Sequence, residues 1–331
     1  MPEFLSQSQI EQFDRDGYLV IPSFLTPDET NELLQRSKDL LDDFDPATHP
    51  LTKFTTGDDN HVGDDYFLDS GDKMWVHFLP LNCIGPSLTQ IPATSSLAST
   101  CISRYFLETD ALDKDGKLNR EKQKAVNKIG HGLHELDPAF RRVTLENDRL
   151  RFLVRDLKFH HDPVALQSMV ITKQQQIGGE GTTFLYTDPP SALGCWIALE
   201  KCTALNGALS FLPGSHKTTP ITKRFVRLGP GKGTGFEALV SPAEEKAVQE
   251  RSAQDAGKYV METCEPGDLV LIHGSVLHKS ERNTSPNTRF AYTFHLIESQ
   301  PWAKYDEKNW LQPTKAMPFS RVLPRGEINE F

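Results

Sequence analysis

From about residue 152 the chain breaks into short apolar and β-branched runs closed by Gly, Pro or Asn, and this rhythm constrains the fold most. The runs are VALQSMVIT (164–172), TFLYT (183–187), GCWIALE (194–200), ALSFLP (208–213), DLVLIHG (268–274) and RFAYTFHLI (289–297). Each has strand length and the side chains that suit a pleated surface. The first half reads differently. Residues 6–16 (SQSQIEQFDRD) predict a short helix with Ile10 and Phe13 on one face, ended by Gly17. Tyr18 to Ile21 predicts a strand. Thr26-Pro27-Asp28-Glu29 then predicts a helix start, with Thr26 as cap, Pro27 in the first turn and Glu29 closing a capping box. That helix runs to about Leu41, with Leu33, Leu34, Leu40 and Leu41 as its apolar stripe. Segment 229–258 predicts an excursion between strands, with a helix in its second half. Helices followed by many short strands argue for helices packed on an all-β barrel or jelly roll, as one domain.

Charge narrows the partners. The formal net charge is −9 and no Lys/Arg block occurs, so there is no electrostatic footprint for nucleic acid or an anionic membrane. A local basic pocket for an anionic small molecule remains open. The five cysteines (Cys83, Cys101, Cys195, Cys202, Cys264) are odd in number and lack zinc-site spacing, which predicts a reduced intracellular compartment. No apolar run approaches the ~18 residues needed to span a bilayer. The first residues lack the basic and apolar regions of a signal peptide, and the last five are not a Ser-Lys-Leu-type address. The expected location is the cytosol.

Residues 76–103 stand out. These 28 positions contain no Asp, Glu, Lys or Arg, in a chain that is 24% charged. They hold three prolines and a Thr94-Ser95-Ser96 cluster, with no sustained period. A surface insert and a segment that is not native coding sequence both fit this composition.

The chemistry concentrates late in the chain. A facial iron(II) site uses two His and one carboxylate and leaves open positions for an oxo acid and O2. Its sequence signature is an early His-x-Asp/Glu, a late His, and an Arg about ten residues on that grips a carboxylate as a planar fork. Here His278 follows the run DLVLIHG, and Arg289 comes eleven residues later. A lone His near a strand end is ordinarily a satisfied polar residue. The spacing, with Ser280 close by, shifts the reading toward function. His273 competes more weakly. His216, in Pro213-Gly214-Ser215-His216, reads first as part of a tight turn.

The segments FDRDGYLVIPSFLTPDE (13–29), DYFLDSGDK (65–73), NKIGHGLHELDP (127–138), ALQSMVITKQ (165–174), NGALSFLPGSHK (206–217) and LIHGSVLHKS (271–280) resemble the phytanoyl-CoA dioxygenase family. The resemblance extends over about 5–75 and 104–320. It implies a mainly β fold with α, a cupin-like double-stranded β-helix carrying packed N-terminal helices. It also implies Fe(2+), 2-oxoglutarate as co-substrate, O2, and ascorbate as reductant. His278 resembles the distal iron ligand. Lys128, Met169, Trp196, Ser280 and Arg289 resemble the 2-oxoglutarate contacts. Without the family, Met169 and Trp196 read as barrel core and Lys128 as a solvated surface lysine. The implied partner of this monomer is a small molecule, a lipid-derived acid or its CoA ester.

One departure matters. Where the family reads Gly-Gly-Glu and then a run ending in Pro-His-x-Asp, this chain reads Gly178-Gly179-Glu180-Gly181-Thr182-Thr183-Phe184. Roughly six residues carrying the proximal His and the Asp are missing, so dioxygenase activity is expected to be impaired. His160-His161-Asp162 fits His-x-Asp as a pattern but falls one strand too early, and Glu180 and Asp188 bring no imidazole. The insertion and the deletion together point to a misassembled gene model. An inactive pseudoenzyme or a 2-oxoglutarate-binding scaffold explains the deletion equally well but leaves 76–103 unexplained.

Overall fold

The structure is a computed structural model that describes residues 4–47, 68, 104–108, 110–173, 182–280, 283–315 and 317–331. The 76–103 stretch, Cys83, Cys101 and Gly178–Gly181 with Glu180 lie outside those residues.

Helix α1 (Gln7–Asp16) starts at Ser6, whose side chain forms a capping box with Gln9. It ends at Gly17, where φ is 80°. That left-handed turn favours glycine, and a Cβ here would meet His216 Nδ1 at 2.4 Å. Helix α2 (Pro27–Asp42) opens with the Thr26–Glu29 box that its sequence predicts. Helices α3 (Pro138–Thr144) and α4 (Asp148–Leu157) start at Asp137 and Asn147, whose side chains accept from Ala139 N and Arg149 N.

The strands that build the site are β1 (Tyr18–Ile21), β2 (Arg104–Leu107), β3 (Val126–His131), β4 (Pro163–Lys173), β5 (Leu193–Ala198), β6 (Leu209–Phe211), β7 (Val260–Glu262), β8 (Leu269–His273), β9 (His278–Ser280) and β10 (Arg289–Glu298). An antiparallel sheet runs β1-β8-β5-β10-β4-β3-β2. A second, smaller sheet runs β7-β6-β9. A third joins Thr182–Thr183, Lys223–Arg227 and Thr234–Ala238.

Both faces of the large sheet are covered, and each has its own core. Cys195, Ile197, Leu269, Leu271, Phe290, Tyr292 and Phe294 pack outward against Leu33, Leu40, Phe140, Leu150 and Leu153 of the helices. Trp196, Ala198, Val270, Ile272 and Ala291 pack inward against Leu209 and Phe211 of the smaller sheet. All six residues of β5 are buried, so the alternation that sorts them into two cores reads in sequence as one apolar run. The layers are helices, large sheet, smaller sheet.

Two expectations need correction. TFLYT is no continuous strand: only Thr183 and Thr187 of it lie in strands, Thr182–Thr183 and Thr187–Asp188. Phe184 and Leu185 pack into the same cluster around Phe225 and Trp310, which consecutive strand residues on opposite faces could not do. The 229–258 excursion does hold a helix, Pro242–Gln254, with no buried residue, but it also forms the strand Thr234–Ala238. Strands β2 and β3 were not legible from periodicity.

Candidate functional site

Directly opposed residues on antiparallel strands share a face, so the register tells which side chains look into the barrel. Thr293 lies opposite both Met169 and Trp196. Lys128 pairs with Ile171, and Ile171 with Ala291, midway between Thr293 and Arg289 on β10. On the smaller sheet His278 lies opposite Phe211 and Ser280 opposite Leu209, both packed with Trp196. The register thus puts all six site residues read from the sequence, Lys128, Met169, Trp196, His278, Ser280 and Arg289, on inward-facing positions.

Arg289 begins β10 and is only 2% exposed. Its Nη1 donates to Gly207 O at 2.8 Å and to Cys202 Sγ at 3.3 Å. The guanidinium lies 5.1 Å from the centre of the Trp196 ring, a cation–π contact. Among the described residues its buried Nε has no hydrogen-bond partner and no carboxylate forms an ion pair with it. Lys128, buried rather than solvated, places its Nζ 5.2 Å from the Phe106 ring centre, and burial holds its pKa well below the usual lysine range. The two side chains occupy neighbouring rows, with β4 between their strands. That separation is about 10 Å of backbone at ordinary strand spacing.

His278 is oriented by its own chain. Its Nδ1 lies 2.9 Å from Val276 O, and a carbonyl can only accept, so Nδ1 carries the proton and Nε2 keeps its lone pair. This is the tautomer of a histidine that ligates through Nε2, with the other ring nitrogen fixed by a backbone carbonyl. Phe211 stacks beside the ring at 6.0 Å. Burial pushes the pKa of His278 down, which also favours the neutral form. Sequence reasoning missed a further inward pair, His295 and Gln167, joined Nδ1 to Nε2 at 3.0 Å. Their alternation along β4 and β10 places both on the inward face.

The competing candidates lie elsewhere. His273 is on the outward row of β8, against Phe159 at 5.2 Å and His216 at 4.8 Å. His216 reaches Asp14 O at 3.0 Å, tying the 213–216 turn to α1. His160 donates from Nε2 to Ser191 O at 2.6 Å. Asp162 accepts from Ser299 Oγ and pairs with Arg321, each at 2.7 Å. The His160–Asp162 pattern is therefore spent on holding the chain around β4. Asp188 is exposed and pairs along its backbone with Lys304.

A model of the family Phytanoyl-CoA dioxygenase (PhyH) matches residues 13–291. The chain belongs to the phytanoyl-CoA dioxygenase family. Among similar PhyH proteins, the phytanoyl-CoA dioxygenase domain-containing protein 1 homolog of Caenorhabditis elegans is 38% identical over 317 residues, 93% of this chain and 96% of its own. The Rattus norvegicus phytanoyl-CoA dioxygenase domain-containing protein 1 is 37% identical over 95% of this chain and 97% of its own. The fold is that of the solved non-heme alpha ketoglutarate dependent carbocyclase SnoK, at TM-score 0.53 and 14% identity over 96% of both chains. It is also that of EctD from S. alaskensis with bound Fe, at TM-score 0.51 and 18% identity over 89% of this chain and 78% of that one. The double-stranded β-helix is confirmed.

For a PhyH protein two groups have to fit. An anionic carboxylate fits Arg289, whose buried charge and orphaned Nε lack such a partner among the described residues. Iron(II) does not fit the described donors. His278 is correctly oriented, but among the described residues no group of three His, Cys, Asp or Glu side chains could hold a metal ion.

This PhyH fold also buries several neutral histidines. Burial pushes His134, His273 and His295 down to about 4. An unfolded His titrates near 6.5, so between about pH 6.5 and 4 the unfolded chain binds more protons. Stability is complete above that window and is lost as pH falls through it, by up to about 1.4 kcal/mol per pH unit for each such residue. Urea midpoints are expected to fall between pH 7.5 and pH 5, and His134→Gln should flatten the profile. Equal midpoints at the two pH values would show that these rings do not control acid stability.

Proposed function

We propose that the barrel binds 2-oxoglutarate, with the Arg289 fork on its distal carboxylate, and that the native activity is iron(II)- and 2-oxoglutarate-dependent hydroxylation of a small molecule. The observation that carries this reading is the buried guanidinium of Arg289, without a carboxylate partner among the described residues, on an inward-facing strand position. An orphaned buried cation is costly, and a bidentate carboxylate relieves that cost. Ser280, one inward position on from His278 along β9, would add a hydroxyl donor. Met169 and Trp196 would wall the co-substrate, and the Lys128 amine would supply a further hydrogen-bond donor. The solved structures of EctD with 2-oxoglutarate and of EctD with bound Fe support this co-substrate and metal for the fold. A lipid-derived acid or its CoA ester is the substrate class the family suggests, and ascorbate the reductant.

Turnover needs a proximal His and carboxylate, which the sequence between Glu180 and Thr183 does not encode. The chain as it stands is therefore a 2-oxoglutarate-binding scaffold with impaired oxidative chemistry. Ligand-observed NMR on the full chain tests the binding. 2-Oxoglutarate is expected to bind saturably, and glutarate, which keeps the distal carboxylate, is expected to compete. Signals unperturbed by the protein at millimolar ligand would remove the proposal.

A further inference from the structure

Cys202 touches the Arg289 guanidinium and faces a second cysteine. Cys202 and Cys264 are directly opposed in an antiparallel bridge, and their backbones exchange both hydrogen bonds, at 2.8 and 3.1 Å. Such a hydrogen-bonded pair has its Cα atoms about 5.5 Å apart, within the range a disulfide spans. Both are free thiols, 0% and 3% exposed, in the core between the two sheets that also holds Trp196 and Phe211. Burial and the neighbouring Cys202 push the Cys264 thiol up to about 12, as expected for two adjacent buried thiols.

We propose that Cys202 is a positioning residue for Arg289, and that oxidation of the Cys202–Cys264 pair to a cross-strand disulfide weakens binding of 2-oxoglutarate. This rests on the reading of Arg289 as the carboxylate fork. Arg289 Nη1 has two anchors, Gly207 O and Cys202 Sγ. Once its sulfur is bonded to the Cys264 sulfur, Cys202 turns toward the opposite strand and is a poorer acceptor. The guanidinium then keeps only Gly207 O and loses the orientation that presents its remaining donors to the barrel.

Hydrogen peroxide is the oxidant, and the balance is simple. One thiolate attacks the O–O bond, giving a sulfenic acid, and the departing hydroxide leaves as water with the thiol proton. The second sulfur then displaces hydroxide from the first, forming S–S, and its proton leaves with that hydroxide as a second water. Two electrons from the two sulfurs reduce one peroxide. Because burial keeps the thiolate scarce, the reaction is slow at neutral pH.

The test uses the full chain, reduced or treated with hydrogen peroxide for hours at pH 8.5. Peptide mapping locates the link, and titration with 2-oxoglutarate reads the affinity. Expected are a Cys202–Cys264 linked peptide and an affinity lower by roughly three- to tenfold, the worth of one hydrogen bond, restored by dithiothreitol. Cys264→Ser keeps the Cys202 contact and should bind 2-oxoglutarate like reduced wild type, before and after peroxide. Cys202→Ser retains an acceptor for Arg289 and should stay close to wild type, whereas Cys202→Ala should lose affinity without peroxide. A folded, peroxide-treated chain with no Cys202–Cys264 link overturns the proposal, as does a linked chain of unchanged affinity. Equal affinity of reduced wild type and Arg289→Ala overturns the fork reading instead, whatever the peroxide arm gives.

Discussion

Replacing Arg289 by alanine should lower the affinity for 2-oxoglutarate by roughly 30- to 150-fold, the equivalent of about 2–3 kcal/mol for a charge-assisted bidentate pair. The size follows from where the group sits. The guanidinium is buried, its Nε has no hydrogen-bond partner among the described residues, and a carboxylate bound there is shielded from water. Arg289→Lys keeps the charge but presents a point donor in place of a planar fork, so it should recover only part of the loss. Trp196→Ala removes the ring beneath the guanidinium and should cost less than the arginine itself, since cation–π support is about 0.5–2 kcal/mol. Calorimetry on folded wild type and variants decides this. If Arg289→Ala binds as tightly as wild type, the co-substrate is held by other residues.

The second large effect concerns the metal. A single imidazole holds iron(II) poorly, because affinity comes from several ligands arranged on one face. The chain as it stands is expected to release succinate only at background rates under air with ferrous iron, 2-oxoglutarate and ascorbate. Inserting about six residues with a Pro-His-x-Asp core between Glu180 and Thr182, and removing 76–103, should restore iron binding and slow conversion of 2-oxoglutarate without primary substrate. His278→Ala in the repaired chain should abolish both. Equal succinate release by the original and repaired chains would mean that the metal is held by a different set of side chains. His160 and Asp162 are poor substitutes, since both side chains already serve Ser191, Ser299 and Arg321.

What the sequence revealed and what it hid follow from how each signal is written. Local capping chemistry is written in adjacent residues, so both N-terminal helices were legible to within about a residue. The His278–Arg289 spacing was legible because the two residues open consecutive strands, β9 and β10, eleven positions apart. Lys128 was not, because β3 carries Asn127, Lys128 and Gly130, residues of low strand propensity whose pairing is decided by β4. Without the family it read as a surface lysine, whereas it is buried. The anchors of Arg289, Gly207 O and Cys202, lie more than 80 residues from it and leave no local trace.

The contact between His278 Nδ1 and Val276 O spans two residues of one chain. The aim of the prospective ligand atom is thus set within a single turn of backbone. From Val276 to His278 the chain forms a short cassette that carries its own alignment. The absent half would come from a different stretch, between β4 and β5. Losing it leaves the cassette's internal geometry untouched, so a short deletion can silence the chemistry without eroding the rest. By the same logic, restoring a few codons would meet a partner already aimed.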